Sequence, residues 1–105
     1  MASPERLDYC MSKAALSMFA KGLTLRLAGE AIDVFEVRPG IIKTEMTAAV
    51  SAKYDALIEG GLTVIKRFGK PEEVARIAVT LATGLLPYTT GQIIQADAGL
   101  LTVRY

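Results

Sequence analysis

The sequence contains no histidine, no tryptophan and a single cysteine, Cys10, among its 105 residues. Without histidine, a Ser-His-Asp or Cys-His catalytic arrangement is impossible. A zinc site built from the usual cysteine and histidine ligands is excluded as well, so we predict no metal site. One cysteine cannot form an intrachain disulfide, which is typical of a reducing compartment and favours a cytoplasmic location. Proton chemistry is therefore left to tyrosine, lysine and carboxylate side chains.

Long runs of basic or apolar residues are also missing. Twelve Lys and Arg oppose eleven Asp and Glu, for a formal net charge of +1. Such a balance offers little attraction to phosphate backbones, so nucleic acid is not a predicted partner and a small DNA-binding domain is disfavoured. No uninterrupted apolar stretch reaches the ~18 residues that span a bilayer. Pro4, Glu5, Arg6 and Asp8 stand where a signal peptide is apolar, so we predict neither membrane insertion nor secretion.

What the sequence does contain is a tyrosine followed by a lysine, Tyr9 and Lys13, at the start of a long apolar helix. Positions i and i+4 share one helix face, so the phenol is expected beside the ammonium group. A free phenol titrates near pH ~10, and a neighbouring cation favours its ionised form. Such a tyrosine suits general acid–base catalysis. The spacing by itself, however, is more typical of two ordinary surface residues.

The pattern of apolar residues and turn signals predicts an α/β fold. A helix at 8–29 ends at a glycine. Branched and aromatic residues then predict a strand at 31–38, closed by a Pro-Gly turn. A helix at 45–59 ends at two glycines, and another at 71–84 begins with a proline and two acidic residues. A short strand at 92–96 follows.

Three segments together resemble the short-chain dehydrogenase/reductase family: YCMSKAAL at 9–16, VRPGIIKT at 37–44 and TGQIIQADAG at 90–99. The family signature is Tyr-x-x-x-Lys, then a strand ending in Pro-Gly and a Thr a few residues on. The resemblance covers essentially all of this chain but only the second half of a family member. It implies the C-terminal part of a Rossmann-type doubly wound parallel sheet, with the N-terminal cofactor half absent.

The same resemblance implies an NAD(P)-dependent oxidoreductase that interconverts a carbonyl and an alcohol. Tyr9 and Lys13 would be both catalytic and cofactor-binding: Tyr9 would be the proton donor, and Lys13 would tune it and bind the cofactor ribose. NADP or NAD is the implied cofactor, with NADP slightly favoured. The segment at 45–59 corresponds to the family's substrate lid, although a plain surface helix is an equal alternative. The Asp-Ala-Gly at 97–99 is expected to be structural, with Ala98 where relatives often have glycine.

Further cofactor-binding residues are implied after the first strand: Pro39, Gly40, Ile42 and Thr44. Glycine lets the backbone approach a ligand closely, and threonine offers a hydroxyl. By resemblance, the Ile42 backbone holds the nicotinamide carboxamide and Thr44 contacts the cofactor. The alternative is that Pro39-Gly40 is merely a turn and Thr44 a helix cap, a role that is compatible with binding.

Within the family, the segments look most like those of bacterial 3-oxoacyl-acyl-carrier-protein reductases, which serve fatty acid biosynthesis. This implies a small-molecule or acyl-carrier-bound carbonyl substrate. A sugar or polyol dehydrogenase of the same family is the alternative.

The helix at 8–29 is apolar on two faces. Because family members commonly pair through this helix, we expect a homodimer or homotetramer formed by the helix and the C-terminal segment. The other interpretation is that both apolar faces of the helix are covered within a complete monomer.

Three family elements are missing from this sequence: the Gly-rich cofactor turn, the Asn-Ala-Gly strand end and the catalytic serine about a dozen residues before the tyrosine. Ser3 is too near Tyr9 to replace that serine. We therefore expect a part of a chain more than twice as long, inactive by itself. A non-catalytic oligomerisation remnant is the alternative from another functional class.

Overall fold

A computed structural model describes residues 3–103. In chain order the elements are α1 (Leu7–Arg26), β1 (Glu36–Pro39), α2 (Glu45–Ala48), α3 (Ser51–Glu59), α4 (Pro71–Ala82) and β2 (Ile93–Ala96). The two strands form one sheet, and the bonds from Glu36 N to Gln92 O and from Gly40 N to Ala96 O give it a parallel register. The predicted α/β fold class is confirmed.

The chain divides into two compact units. The first holds the residues through Glu36 together with Tyr88–Ile93, and the second holds Val37–Pro87 and the residues from Ile94 onward. In the first unit, Ser17 of α1 donates a hydrogen bond of 3.0 Å to the Glu36 carboxylate. The second unit contains α2, α3 and α4.

Helix α1 is shorter than the predicted 8–29. It begins at Leu7 and ends at Arg26, because the following amides make turn bonds instead of continuing the helix. Ala28 N bonds Leu25 O and Glu30 N bonds Leu27 O. Helix ends commonly tighten in this way, and the predicted stop at glycine therefore falls three residues late.

Strand β1 covers only Glu36–Pro39 of the predicted 31–38. Ala31 lies in a turn with a left-handed backbone (φ +50°). Val34 meets the Thr90–Gly91 turn, since its N–H donates to Thr90 Oγ1 and its carbonyl accepts from Gly91 N. A branched, apolar sequence predicts extended backbone, but a strand also needs a regular ladder partner. Strand β2 covers Ile93–Ala96, so it starts one residue later than the predicted 92–96 and ends at the same residue.

The predicted helix at 45–59 is two helices, α2 and α3, separated by Ala49 and Val50. Thr47 belongs to the first of these helices, and its hydroxyl bonds to the backbone of Thr44 and Ile42. Met46, in α2, is almost fully exposed.

Helix α4 begins at Pro71 as predicted and ends at Ala82, two residues before the predicted 84. Pro71 fits the first turn because that position has no intrahelical partner for an N–H. Gly84 has φ +72° and lies just past the end of the helix, where a left-handed glycine is the usual terminator.

Few side chains are buried. Within residues 3–103, only Ile58 and Thr63 are buried, with exposed fractions of 3% and 2%. Helix α1 has no buried residue, and Met11, Met18 and Leu25 are 70%, 65% and 79% exposed. In the described part of the chain, no helix is long and apolar enough to cross a membrane.

Candidate functional site

Tyr9 lies in the first turn of α1, with its side chain half exposed. Lys13 is one turn further on, and its Nζ is 5.4 Å from the centre of the Tyr9 ring. The guanidinium carbon of Arg6 is 5.0 Å from the same ring centre. An aromatic face attracts cations at such distances. The structure therefore places two cations over the Tyr9 ring, where the sequence predicted one beside the phenol.

Arg6 was not among the residues predicted from the sequence, although its position three residues before Tyr9 indicates that the two side chains can meet. Residues three apart also meet on one helix face. Arg6 is the N-cap residue of α1, so it reaches Tyr9 across the first turn. The backbone of that turn is held further by Ser12, whose hydroxyl donates 2.7 Å to the Tyr9 carbonyl.

The second unit contains the remaining predicted site residues: Pro39 ends β1, and Gly40, Ile42 and Thr44 follow it. Ile42 forms a parallel bridge with Gly69. Gly69 N donates to Ile41 O and Lys43 N donates to Gly69 O, both at 2.9 Å. In a parallel bridge of this kind, the N–H and C=O of the central residue face the opposite side. The amide of Ile42 is thus directed away from Gly69, which suits it to bind a ligand group.

Gly40 is required by its surroundings. A Cβ added to it would lie 2.6 Å from Asp97 Cα and 2.8 Å from Asp97 Cβ. Its N–H donates to Ala96 O at 3.0 Å. The sequence ascribed this glycine to close approach of a ligand, whereas the structure shows close approach of the protein's own backbone.

Thr44 is the N-cap residue of α2, with an extended backbone (φ −136°, ψ 175°). Thr44 and Thr47 form a capping box, in which each side chain meets the backbone N–H of the other residue. Thr47 Oγ1 accepts from Thr44 N at 2.9 Å. Thr44 is an exposed residue. Sequence reasoning missed Thr47, which stands three residues after the cap in the pattern of a capping box.

The Asp-Ala-Gly segment shapes a turn. Asp97 Oδ1 accepts from Gly99 N at 3.0 Å, and the Ala98 carbonyl accepts from Val64 N at 2.8 Å. Ala98 has φ +55°, a left-handed conformation that favours glycine. These bonds are consistent with the structural role that the sequence predicts for this segment.

An ion pair between Arg67 and Glu73 links the loop before α4 to the first turn of that helix. The two terminal guanidinium nitrogens of Arg67 donate hydrogen bonds to the Glu73 carboxylate, at 2.9 and 2.6 Å. Lys70 N donates to the same carboxylate at 2.9 Å. The hydrogen bond from Arg67, followed by the one from Lys70, lowers the pKa of Glu73 to about 2. The same pairing raises the pKa of Arg67. The carboxylate therefore stays ionised and holds the loop before α4 at ordinary pH.

A groove of about 240 Å³ lies elsewhere in the second unit, between α4 and β2. None of the predicted site residues lines it; its walls are Arg76, Ile77, Thr80, Leu81, Leu86 and Ile94.

The structure thus brings the predicted residues together in two groups, one in each unit. Tyr9 and Lys13 are adjacent in the first, and the loop from Pro39 to Thr44 belongs to the second. The first group offers a phenol beside cations, which suits proton transfer. The second offers a backbone amide and a hydroxyl, which suit recognition of a polar ligand such as a carboxamide.

Comparison with known proteins extends these observations. The family model described as Enoyl-(Acyl carrier protein) reductase matches residues 1–101. The chain is 41% identical over 101 residues to 3-oxoacyl-(acyl-carrier-protein) reductase of Thermotoga maritima, covering 94% of this chain and 40% of that protein.

Solved structures agree with this match. The crystal structure of a 3-oxoacyl-(acyl-carrier protein) reductase from Brucella melitensis in complex with NAD is 57% identical, with a TM-score of 0.95, over all of this chain and 42% of that one. A putative 2-deoxy-D-gluconate 3-dehydrogenase from Agrobacterium tumefaciens with bound NADP is 29% identical, with a TM-score of 0.83, over 92% of this chain and 40% of that one.

The chain spans about 40% of the length of these relatives. The likeness confirms the predicted relation to part of a Rossmann-type fold. Since the family model covers nearly the whole sequence, the chain belongs to the short-chain dehydrogenase/reductase family.

Proposed function

We propose that this chain carries the proton-transfer element of an NAD(P)-dependent oxidoreductase that interconverts a carbonyl and an alcohol, in the manner of a 3-oxoacyl-acyl-carrier-protein reductase. One observation carries the proposal: the half-exposed phenol of Tyr9 with Lys13 Nζ 5.4 Å from its ring centre. The names of the relatives from Thermotoga maritima and Brucella melitensis support the substrate class.

In the proposed reaction, Tyr9 Oη donates a proton to the carbonyl oxygen during reduction and accepts it back during oxidation. Lys13 and Arg6 place positive charge over the Tyr9 ring, 5.4 and 5.0 Å from its centre. Lys13 also binds the cofactor ribose in this proposal. A bound nicotinamide supplies or accepts the hydride.

The loop after β1 fits the nicotinamide end of that cofactor. The Ile42 N–H, facing away from the Gly69 bridge, is a donor for a carboxamide oxygen. The exposed Thr44 hydroxyl is both a donor and an acceptor. Pro39 and Gly40 start the turn that presents these groups. Relatives with NAD and with NADP in their structures support either dinucleotide, and we retain the slight preference for NADP as part of the proposal.

A sugar or polyol dehydrogenase is the second candidate. The likeness to a putative gluconate-type dehydrogenase favours it. The segment that we propose as the substrate lid, α2 and α3, distinguishes the candidates, since exposed Met46 and Val50 suit an acyl chain better than a polyol. Reductase assays with an acyl-carrier-bound 3-oxo substrate and dehydrogenase assays with gluconates would separate the two.

We also propose that the protein acts in the cytoplasm as a homodimer or homotetramer. Met11, Met18 and Leu25 follow one another at seven-residue intervals on α1 and are all well exposed. Such a stripe forms one helix face, which suits packing against the same helix of a second copy. The C-terminal segment would contribute a second contact surface.

The test uses a chimera in which residues 1–105 replace the matching 42% of the Brucella melitensis reductase. Tyr9→Phe removes only the hydroxyl and should lower turnover about 10²- to 10⁴-fold, the contribution of general acid–base catalysis, while cofactor binding is largely kept. Tyr88→Phe is the matched control, because Tyr88 is fully exposed and lies outside the proposed site. The 105-residue chain alone should show no turnover.

Wild-type rates in the Tyr9→Phe chimera would refute the acid–base role. Turnover by the chain alone would contradict the expectation that it works only as part of a longer protein.

A further inference from the structure

One hydroxyl in the second unit organises the loop that we assign to the cofactor. The Oγ1 atom of half-buried Thr47 accepts a hydrogen bond from Thr44 N at 2.9 Å. It lies 3.0 Å from two carbonyl oxygens, those of Ile42 and Thr44. A hydroxyl has a single hydrogen, so it donates to one of these carbonyls at a time. A side chain in α2 is thus bonded to both residues whose polar groups face the proposed ligand.

Helix capping alone does not account for this arrangement. Helix α2 has only four residues, Glu45–Ala48, so it gains little stability of its own. The bond to Ile42 lies outside the helix altogether.

The peptide groups around Ile42 are held from two sides. Gly69 binds Ile41 O and Lys43 N, which sets the planes of the two peptides that flank Ile42. Thr47 binds Ile42 O on the opposite side. With both planes anchored, the direction of the Ile42 N–H is defined before any ligand arrives. Such preorganisation lowers the cost of binding.

We propose that Thr47 is a positioning residue: its hydroxyl holds the Ile42 and Thr44 backbone in the geometry that binds the nicotinamide end of the cofactor. The inference rests on the proposed function. It adds a residue that acts through Ile42 and Thr44 without itself touching the cofactor.

The test measures NADH and NADPH dissociation constants, and Michaelis constants for cofactor and substrate, in the chimera. Thr47→Val removes the hydroxyl and keeps the branched shape. It should weaken cofactor binding about 3- to 10-fold, the range for one net hydrogen bond. The turnover number at saturating cofactor and the Michaelis constant for the carbonyl substrate should stay nearly unchanged. Thr47→Ser should restore binding to within about twofold of wild type, because it keeps the hydroxyl.

Thr80→Val is the matched control, since Thr80 makes an ordinary bond to Arg76 O within α4. It should leave cofactor binding unchanged. Hydrogen exchange gives a second readout: the Thr44 amide should exchange faster in Thr47→Val than in wild type or Thr47→Ser. Should the valine variant not fold, Thr47→Ala removes the same hydroxyl with a smaller side chain.

Unchanged cofactor binding in Thr47→Val, or equal weakening in Thr47→Ser, would overturn the inference while the proposed function stands through the Tyr9→Phe result. A folded wild-type chimera that binds neither NADH nor NADPH would refute the proposed function, and this inference with it.

Discussion

Gly40 offers the sharpest test of the packing in the second unit. In Gly40→Ala, the new Cβ would lie 2.6 Å from Asp97 Cα, 2.8 Å from its Cβ and 3.3 Å from its carbonyl carbon. Carbon atoms pack best at about 3.5–4.0 Å, so the two segments must separate by about 1 Å. Asp97 cannot simply rotate a side chain away, because the closest of these atoms belongs to the backbone.

The backbone of Asp97 also resists displacement. Its carbonyl accepts from Leu100 N at 3.1 Å, and its carboxylate accepts from Gly99 N at 3.0 Å. Overpacking of this kind typically costs about 1–3 kcal/mol of unfolding free energy. For a protein of the chimera's size, a loss of about 1 kcal/mol of unfolding free energy lowers the melting temperature by about 2–4 °C. We therefore expect the melting temperature of Gly40→Ala to fall by about 2–12 °C.

The assay is thermal unfolding of the chimera followed by circular dichroism, without cofactor and at one protein concentration. Gly29→Ala is the matched control: Gly29 has no atom within 4 Å of an added Cβ, and its φ is not left-handed. Its melting temperature should be unchanged or slightly raised, since alanine loses less chain entropy on folding. Equal melting temperatures for the two variants would refute the claim that Asp97 requires a glycine at position 40.

Two further predictions concern the proposed interface and the ion pair before α4. Met18→Glu should shift the chimera toward smaller species in light scattering because it places a charge on the exposed apolar face of α1. Lys21→Glu, at another exposed position of α1, is the control and should not change the size. An unchanged size for Met18→Glu would contradict the interface. The lowered pKa of Glu73 stabilises the folded state above the ordinary carboxyl value of 4.5, and this contribution is lost as pH falls toward about 2. Over that pH interval the melting temperature should fall more steeply in wild type than in Glu73→Gln, and parallel curves would count against the role of the Arg67–Glu73 pair.

Features that depend on neighbours along the chain were predictable. The start of α4 follows from Pro71 and the acidic residues after it, because those residue types satisfy a helix N-terminus locally. The proximity of Tyr9 and Lys13 follows from the helical repeat alone. The family could be recognised from the motifs at 9–16, 37–44 and 90–99, and the match over residues 1–101 confirms it.

Features that depend on distant segments were not predictable in this way. Residues 32–35 have a strand-like composition, yet β1 starts at Glu36, where regular pairing with the β2 segment begins. The helical pattern at 45–59 also gives no sign that the segment is divided into α2 and α3. Local propensity is a weak preference that tertiary bonding overrides.

The sequence alone therefore determined the family and the α/β class, because each depends on residue type and short-range spacing. Tertiary structure decided why position 40 is a glycine and where β1 begins to pair with the β2 segment. These outcomes require atoms to meet in space, and Asp97 and Gly40 meet across more than fifty intervening residues. Spacing along the chain does not specify such encounters; the packed backbone does.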